Sequence, residues 1–223
     1  MVLALDHACD YFHSGNDFQK EKTVKKGIAF FDFDGTITTR DSLLEFIRFT
    51  KGDLRYFFGF LIHLHYIAAF KMKLVSNQTF KERMLEYFYK GTTLDEFETM
   101  CSGFAKNVLP RFIRTGAIEE INKLKENGSL VVIVSASPEE YLRLWAHSYG
   151  IQVIGSRLEI KNNFITGKIV GKNCHGPEKV RRILELHKME DYEVIYAYGD
   201  TKGDLPMMEL ATNSFYRPFR KKI

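Results

Sequence analysis

Gly27-Ile28-Ala29-Phe30-Phe31-Asp32-Phe33-Asp34-Gly35-Thr36-Ile37 is the stretch that decides how this chain is read. Its apolar start is too short for a helix. Acids and a glycine stop it at once, which predicts a buried strand followed by a polar turn. Further along, Leu130-Val131-Val132-Ile133-Val134 is a continuous β-branched run of the kind that parallel sheets use. Ile151–Ile154 and Val194–Tyr198 repeat the signal, and a last short strand fits 213–216. Helical patterns lie between the strands, at about 138–149 and from Pro177 to about His187. Pro177 suits a first helical turn, because the amide hydrogen it lacks would be unpaired there anyway. Asn162-Asn163, between 157–160 and 164–170, signals a hairpin. Strands alternating with helices predict an α/β fold, a parallel sheet with helices on both faces.

One block breaks the alternation. From Asp41-Ser42 to about Thr115 the pattern is helical, with Gly52 as a stop and further helices near 54–73, 77–89 and 93–107. Another helix is expected over 111–127. The domain reading is a leader at 1–26, a core at 27–41 and 116–223, and an inserted all-helical cap at 42–115.

The 223 residues are 45% hydrophobic and 27% charged, which excludes a wholly disordered chain and a polytopic membrane protein. The net charge of +4 is too small to argue for nucleic acid as a partner. Cys9, Cys101 and Cys174 are odd in number and form no Cys-x-x-Cys pair, so a reducing cytoplasm fits best. Met1–Asp6 lacks the apolar core of a signal peptide.

In an open α/β sheet, ligands bind beyond the carboxyl ends of the strands. The polar residues there are Asp32 and Asp34, then Ser135-Ala136-Ser137, then Gly199-Asp200-Thr201-Lys202-Gly203-Asp204. Lys179 lies in the first turn of the helix that Pro177 opens. Four acids at two strand ends repel one another unless a cation sits among them. An oxygen-loving ion such as Mg2+ fits, with Lys179 as a second positive charge and Ser135 as a donor. The sum is a site for a phosphoryl group. Lys172 is the alternative lysine, and Cys174-His175 reads as loop packing rather than as a nucleophile and base.

These residues resemble the motifs of the haloacid dehalogenase superfamily: Asp32-x-Asp34-Gly35-Thr36 after a strand, Ser135, Lys179, and Gly199-Asp200 with Asp204. The helical insert is placed as in its phosphoserine-phosphatase-like members. Gly176-Pro177-Glu178-Lys179-Val180 and 198–206 are similar to the phosphatidylglycerophosphatase C group. The resemblance implies a Rossmann-like core and a Mg2+-dependent phosphomonoester hydrolase. Asp32 would be the nucleophile and form an aspartyl-phosphate. Asp34 would be the general acid and then the general base. Asp32, the Asp34 carbonyl and Asp200 would hold the metal, with Asp204 supporting. Ser135, Lys179 and the amides near Gly35 and Ala136 would bind the phosphoryl oxygens. Gly35 and Asp41 stand where phosphoserine phosphatases carry Ser and Glu, which argues against phosphoserine itself. A glycosyltransferase reading leaves Lys179 unexplained, and a phospho-receiver domain is about half this length.

The substrate is read as a phospholipid headgroup phosphate or a small phosphorylated metabolite. The apolar run 56–70, between Arg55 and Lys71, is too short to span a bilayer. It reads either as a helix packed in the cap's own core or as a peripheral membrane contact, which would place the protein at the inner face of the membrane. Segment 42–90 carries eight Lys or Arg against four acids.

Overall fold

The structure, a computed structural model, describes residues 25–220. The leader expected at 1–26 falls almost wholly outside them. Five parallel strands form one sheet in the order β3-β2-β1-β6-β7: β1 (Lys25–Phe31), β2 (Ser129–Pro138), β3 (Gln152–Ser156), β6 (Tyr192–Gly199) and β7 (Asn213–Tyr216). A separate antiparallel hairpin joins β4 (Leu158–Lys161) to β5 (Phe164–Ile169). Asn162 and Asn163 both have positive φ at its tip, 50° and 66°, as a two-residue turn of this twist requires.

The strand period of two sorts β1 between two cores. Ala29 and Phe31 face the larger one, with α5 (Thr115–Glu126) and α6 (Glu139–His147). Ile28 and Phe30 face the other, with Ile183 of α7 (Pro177–Leu186) and Met207 of α8 (Leu205–Glu209). Helices therefore cover both faces, and β1 is buried at the centre of the sheet. Its end is the position where two acids meet the rest of the site.

Between β1 and α5 stand α1 (Ser42–Ile62), α2 (Leu64–Lys71), α3 (Asn77–Tyr89) and α4 (Leu94–Asn107). Gly52 does interrupt α1, with φ +76° and ψ 161°, but the helix resumes after it instead of stopping. The helix expected over 54–73 is broken at His63, whose Nδ1 bonds the Gly59 carbonyl at 2.8 Å. The helix expected from Arg111 begins only at Thr115. A 3₁₀ turn spans Leu109–Phe112, and Ile113 is drawn into an extended bridge with Thr38.

Hairpin β4–β5 is tied to α3. The Ile169 amide donates to Glu82 Oε1 at 3.1 Å, and Lys168 pairs with Glu86 at 3.0 Å. Gly167, at φ +84°, lies against α3 so closely that a Cβ would sit 2.4 Å from the Glu86 Cα. Neither backbone can yield. Gly167→Ala should therefore destabilise the chain by about 2–3 kcal/mol, read as a lower denaturation midpoint at unchanged slope. A midpoint equal to that of the parent would mean the hairpin does not rest on α3 in solution.

Candidate active site

β1 delivers Asp32 to the edge of the sheet, where its amide donates to the Tyr198 carbonyl of β6 at 2.8 Å. The turn over 33–37 then folds back, and the Thr38 amide closes it on the Phe33 carbonyl at 3.0 Å. Gly35 sits in that turn at φ +85°, and a Cβ there would lie 2.4 Å from Asp200 Oδ2. Serine here would be strained by the positive φ and would push the Asp200 carboxyl aside, which gives a reason for the glycine.

Lys179, fully buried in the first turn of α7, donates to Asp32 Oδ1 at 2.6 Å and to Asp204 Oδ1 at 2.7 Å. Burial alone would push its ammonium down. The two carboxylates outweigh that and hold it above the usual lysine range. The same lysine leaves its two partners different. Burial pushes the Asp32 carboxyl up to about 7; Lys179 pulls against that, and Asp204 and Asp34 add to the rise. Burial also acts on Asp204, but Lys179 and the amide and hydroxyl of Thr201 hold it low. Asp204 Oδ2 accepts three bonds, from Thr201 N, Thr201 Oγ1 and Asp200 N. Its oxygens are thus committed to shaping the loop and to Lys179.

Asp34 makes no ion pair among the described residues. Its Oδ1 accepts from the Ser42 amide at 2.7 Å and its Oδ2 from Ser137 Oγ at 2.5 Å. Burial, followed by the nearby Asp41, raises its carboxyl to about 6. A carboxyl raised toward neutrality can both give and take a proton there, which suits it to general acid and base work. Ser135 Oγ accepts from the Ser137 amide at 3.0 Å, which leaves its own hydroxyl hydrogen to donate elsewhere.

A cavity of about 320 Å³ connects these groups. Asp32, Asp34, Ser135, Ala136, Lys179 and Asp204 line it. Gly35 and Asp200 do not, and the Gly35 amide donates to Thr38 Oγ1 at 3.2 Å. Leu43, Ile47, Phe60, Phe70, Phe80 and Met84 of α1–α3 give it a large apolar wall, beside the polar Asn77 and Lys81 of α3. The fold also brings in residues that sequence reading did not single out. Lys81 of α3 donates to the Ala136 carbonyl at 2.8 Å, and burial lowers its pKa. Arg220 pairs with Asp200 Oδ2 at 2.6 Å. Ser42 Oγ joins Ser137 and Tyr141. Lys172 is exposed, whereas Lys179 touches both acids. Cys174 is buried with Sγ toward the Ile154 carbonyl, and burial lifts its thiol to about 11. His175 lines the cavity instead, so the two neighbours face opposite ways.

The donor set fits a hard divalent cation. Carboxylate oxygens of Asp32, Asp200 and Asp204, all buried, lie within 4.8 Å of one another. Burial, with the Asp204 charge adding to it, raises the Asp32 and Asp200 carboxyls against the pull of Lys179 on the first and Arg220 on the second. All the donors are oxygen, the kind that Mg2+ selects.

The family model described as haloacid dehalogenase-like hydrolase matches residues 29–209. The chain belongs to that family. It is 34% identical over 194 residues to Protein CicA of Caulobacter vibrioides, covering 86% of each chain. It is 25% identical over 191 residues to phosphoserine phosphatase SerB1 of Mycobacterium tuberculosis, covering 82% of this chain and 61% of that one. A Bordetella pertussis protein of unknown function shares the fold at TM-score 0.73, with 21% identity over 85% of this chain and 89% of the other. So does a phosphoserine phosphatase solved with a phospho-aspartyl intermediate analogue, at TM-score 0.61 and 20% identity, covering 85% of each. The haloacid dehalogenase fold is thus established for this chain, and with it an HAD-type phosphatase.

Proposed function

We propose that this phosphatase hydrolyses a phosphomonoester through a phosphoryl group carried on Asp32. The observation that carries the reading is the unequal treatment of two acids two residues apart. Asp32 Oδ1 is fixed by a buried ammonium at 2.6 Å, while Asp34 is held only by the Ser42 amide and the Ser137 hydroxyl. One is placed to attack and the other to give and take a proton.

Asp32 attacks phosphorus, and the ester bond to the leaving alcohol breaks. Asp34 gives that alcohol its proton. The ionised Asp34 then takes a proton from water as the water attacks phosphorus, and Asp32 is released with inorganic phosphate. Lys179 holds Asp32 in line and offsets the phosphoryl charge; Ser135 and Ala136 line the same cavity. Asp32, Asp200 and the Asp34 carbonyl are the groups that would hold Mg2+, which supplies further neutralisation of the phosphoryl oxygens when bound.

The leaving group meets the apolar wall made by α1–α3. That favours a phosphate carried on an apolar-sided alcohol, such as a lipid headgroup phosphate, over a small charged metabolite. Asp41 also lines the cavity, but its Oδ1 already caps α1 by accepting the Leu44 amide at 3.0 Å. This weakens the phosphoserine reading.

Asp34→Asn tests the division of labour. With an activated aryl phosphate, whose alcohol needs little protonation, the variant should still transfer the phosphoryl group. It should then stall, because the base for water is gone. Acid quenching and mass spectrometry should find phosphate on the peptide that contains Asp32. With alkyl phosphates the first step should itself slow by about 10²–10⁴-fold. Equal loss on both kinds of ester, with no trapped phosphopeptide, would remove Asp34 from the acid role.

A further inference from the structure

The second half of α1 carries two faces of opposite environment. Tyr56, Gly59, Phe60 and His63 turn inward, and Gly59 passes under Phe88 with no space for a Cβ. Leu54, Phe57, Phe58, Leu61 and Ile62 repeat at three- and four-residue steps on the outside. Their exposure runs from 53% at Leu61 to 78% at Leu54. Leu64, Met72 and Leu74 extend the exposed apolar surface beyond α1, and α2 buries none of its eight residues. An outward helical stripe that is apolar reverses the usual arrangement and marks a surface that meets another phase or molecule.

The flanking charge selects the partner. Arg55, Lys71 and Lys73 are exposed and make no ion pair among the described residues. The acid closest in sequence to the stripe, Asp53, is already held by Arg48 at 2.8 Å. Apolar side chains edged by unpaired cations complement acyl chains beneath anionic headgroups. No described helix is long and apolar enough to cross a membrane, so the contact is peripheral.

We propose that the outer face of α1 and α2 docks on an anionic bilayer. The inner faces of the same helices hold Phe60 and Phe70 against the cavity, with Phe70 stacked on Phe80 at 5.2 Å. Docking brings the apolar cavity wall within one helix diameter, about 10 Å, of the lipid. It thereby deepens the function proposed above by naming the surface from which an apolar-sided phosphomonoester is drawn. The delivery step rests on the phosphatase reading, whereas the docking does not.

The experiment is co-sedimentation of the full chain with phosphatidylglycerol vesicles and with phosphatidylcholine vesicles, at low and high salt. The chain should sediment with the anionic vesicles, and less so as salt rises. A Phe57→Ser, Phe58→Ser, Leu61→Ser triple variant should bind at least about tenfold more weakly, yet hydrolyse a soluble aryl phosphate at the parental rate. Lys71→Glu with Lys73→Glu should remove the preference for anionic lipid. Absence of parental binding, or equal binding by the triple variant, would overturn the inference. So would a parental dimer on gel filtration that the triple variant disperses, because the face would then belong to a second copy. Vesicle binding without aryl phosphate hydrolysis would sustain the docking and sink the reaction proposed at Asp32.

Discussion

Asp32→Asn should lower turnover of an aryl phosphate by about a hundredfold or more, a barrier increase of at least ~2.7 kcal/mol. The amide keeps the shape of the carboxyl but offers no nucleophilic oxygen, and it is a poorer ligand for a cation. The fold should survive the change. Lys179 keeps Asp204 at 2.7 Å, and burial already makes the Asp32 charge costly. The thermal midpoint should therefore move by no more than about 5 °C while activity disappears. Measuring both on one preparation separates chemistry from stability. A variant retaining more than about one part in a hundred of the parental rate would end the covalent reading.

Removing divalent cations should have an effect of similar size. Chelated enzyme is expected to lose about 10²-fold or more, with activity restored by Mg2+ but not by Ca2+. The reason lies in charge. Asp32, Asp200 and Asp204 crowd their oxygens within 4.8 Å, with one buried ammonium between two of them and the more exposed Arg220 guanidinium on the third. A phosphoryl group adds negative charge to the same place. Asp200→Asn should raise the Mg2+ concentration needed for half-maximal activity. Full rate in chelator would take Asp200 out of the site.

The site was legible wherever its residues follow a strand directly. Asp32, Asp34, Ser135 and Asp200 stand where an apolar run stops, and Asp204 follows in the same polar loop. Lys179 was legible through Pro177, which fixes where its helix starts. Lys81 and Arg220 were not, because nothing in the local pattern of α3 or of the tail says which way one cation among several will turn. Ser42 marked only the start of a helical pattern, although its main chain and hydroxyl serve Asp34 and Tyr141.

The apolar run 56–70 shows a different limit. Periodicity identifies the inner face of a helix by contrast with a polar outer face. Where both faces are apolar, sequence carries no contrast, and packing within the cap competes evenly with exposure. Only the docking of Gly59 under Phe88 decides which half points out. The breaks at His63 and Ile113 were hidden for a related reason. Each is set by a partner distant in space or by a ring bonding the backbone, not by a glycine or proline.

The central place of β1 in the sheet has a consequence for biosynthesis. The strand leaves the ribosome well before either of its two neighbours, which begin at Ser129 and Tyr192. Until β2 and then β6 have been translated, an apolar segment waits with its hydrogen-bonding edges open. Such long-range parallel pairing is slow, and unpaired edges invite association between nascent chains. The last pairing to form on β1 also sets Asp32, through the Tyr198 carbonyl. Soluble yield should therefore depend on the rate of synthesis and on chaperone supply, and catalytic competence should arrive only after Tyr198 has emerged.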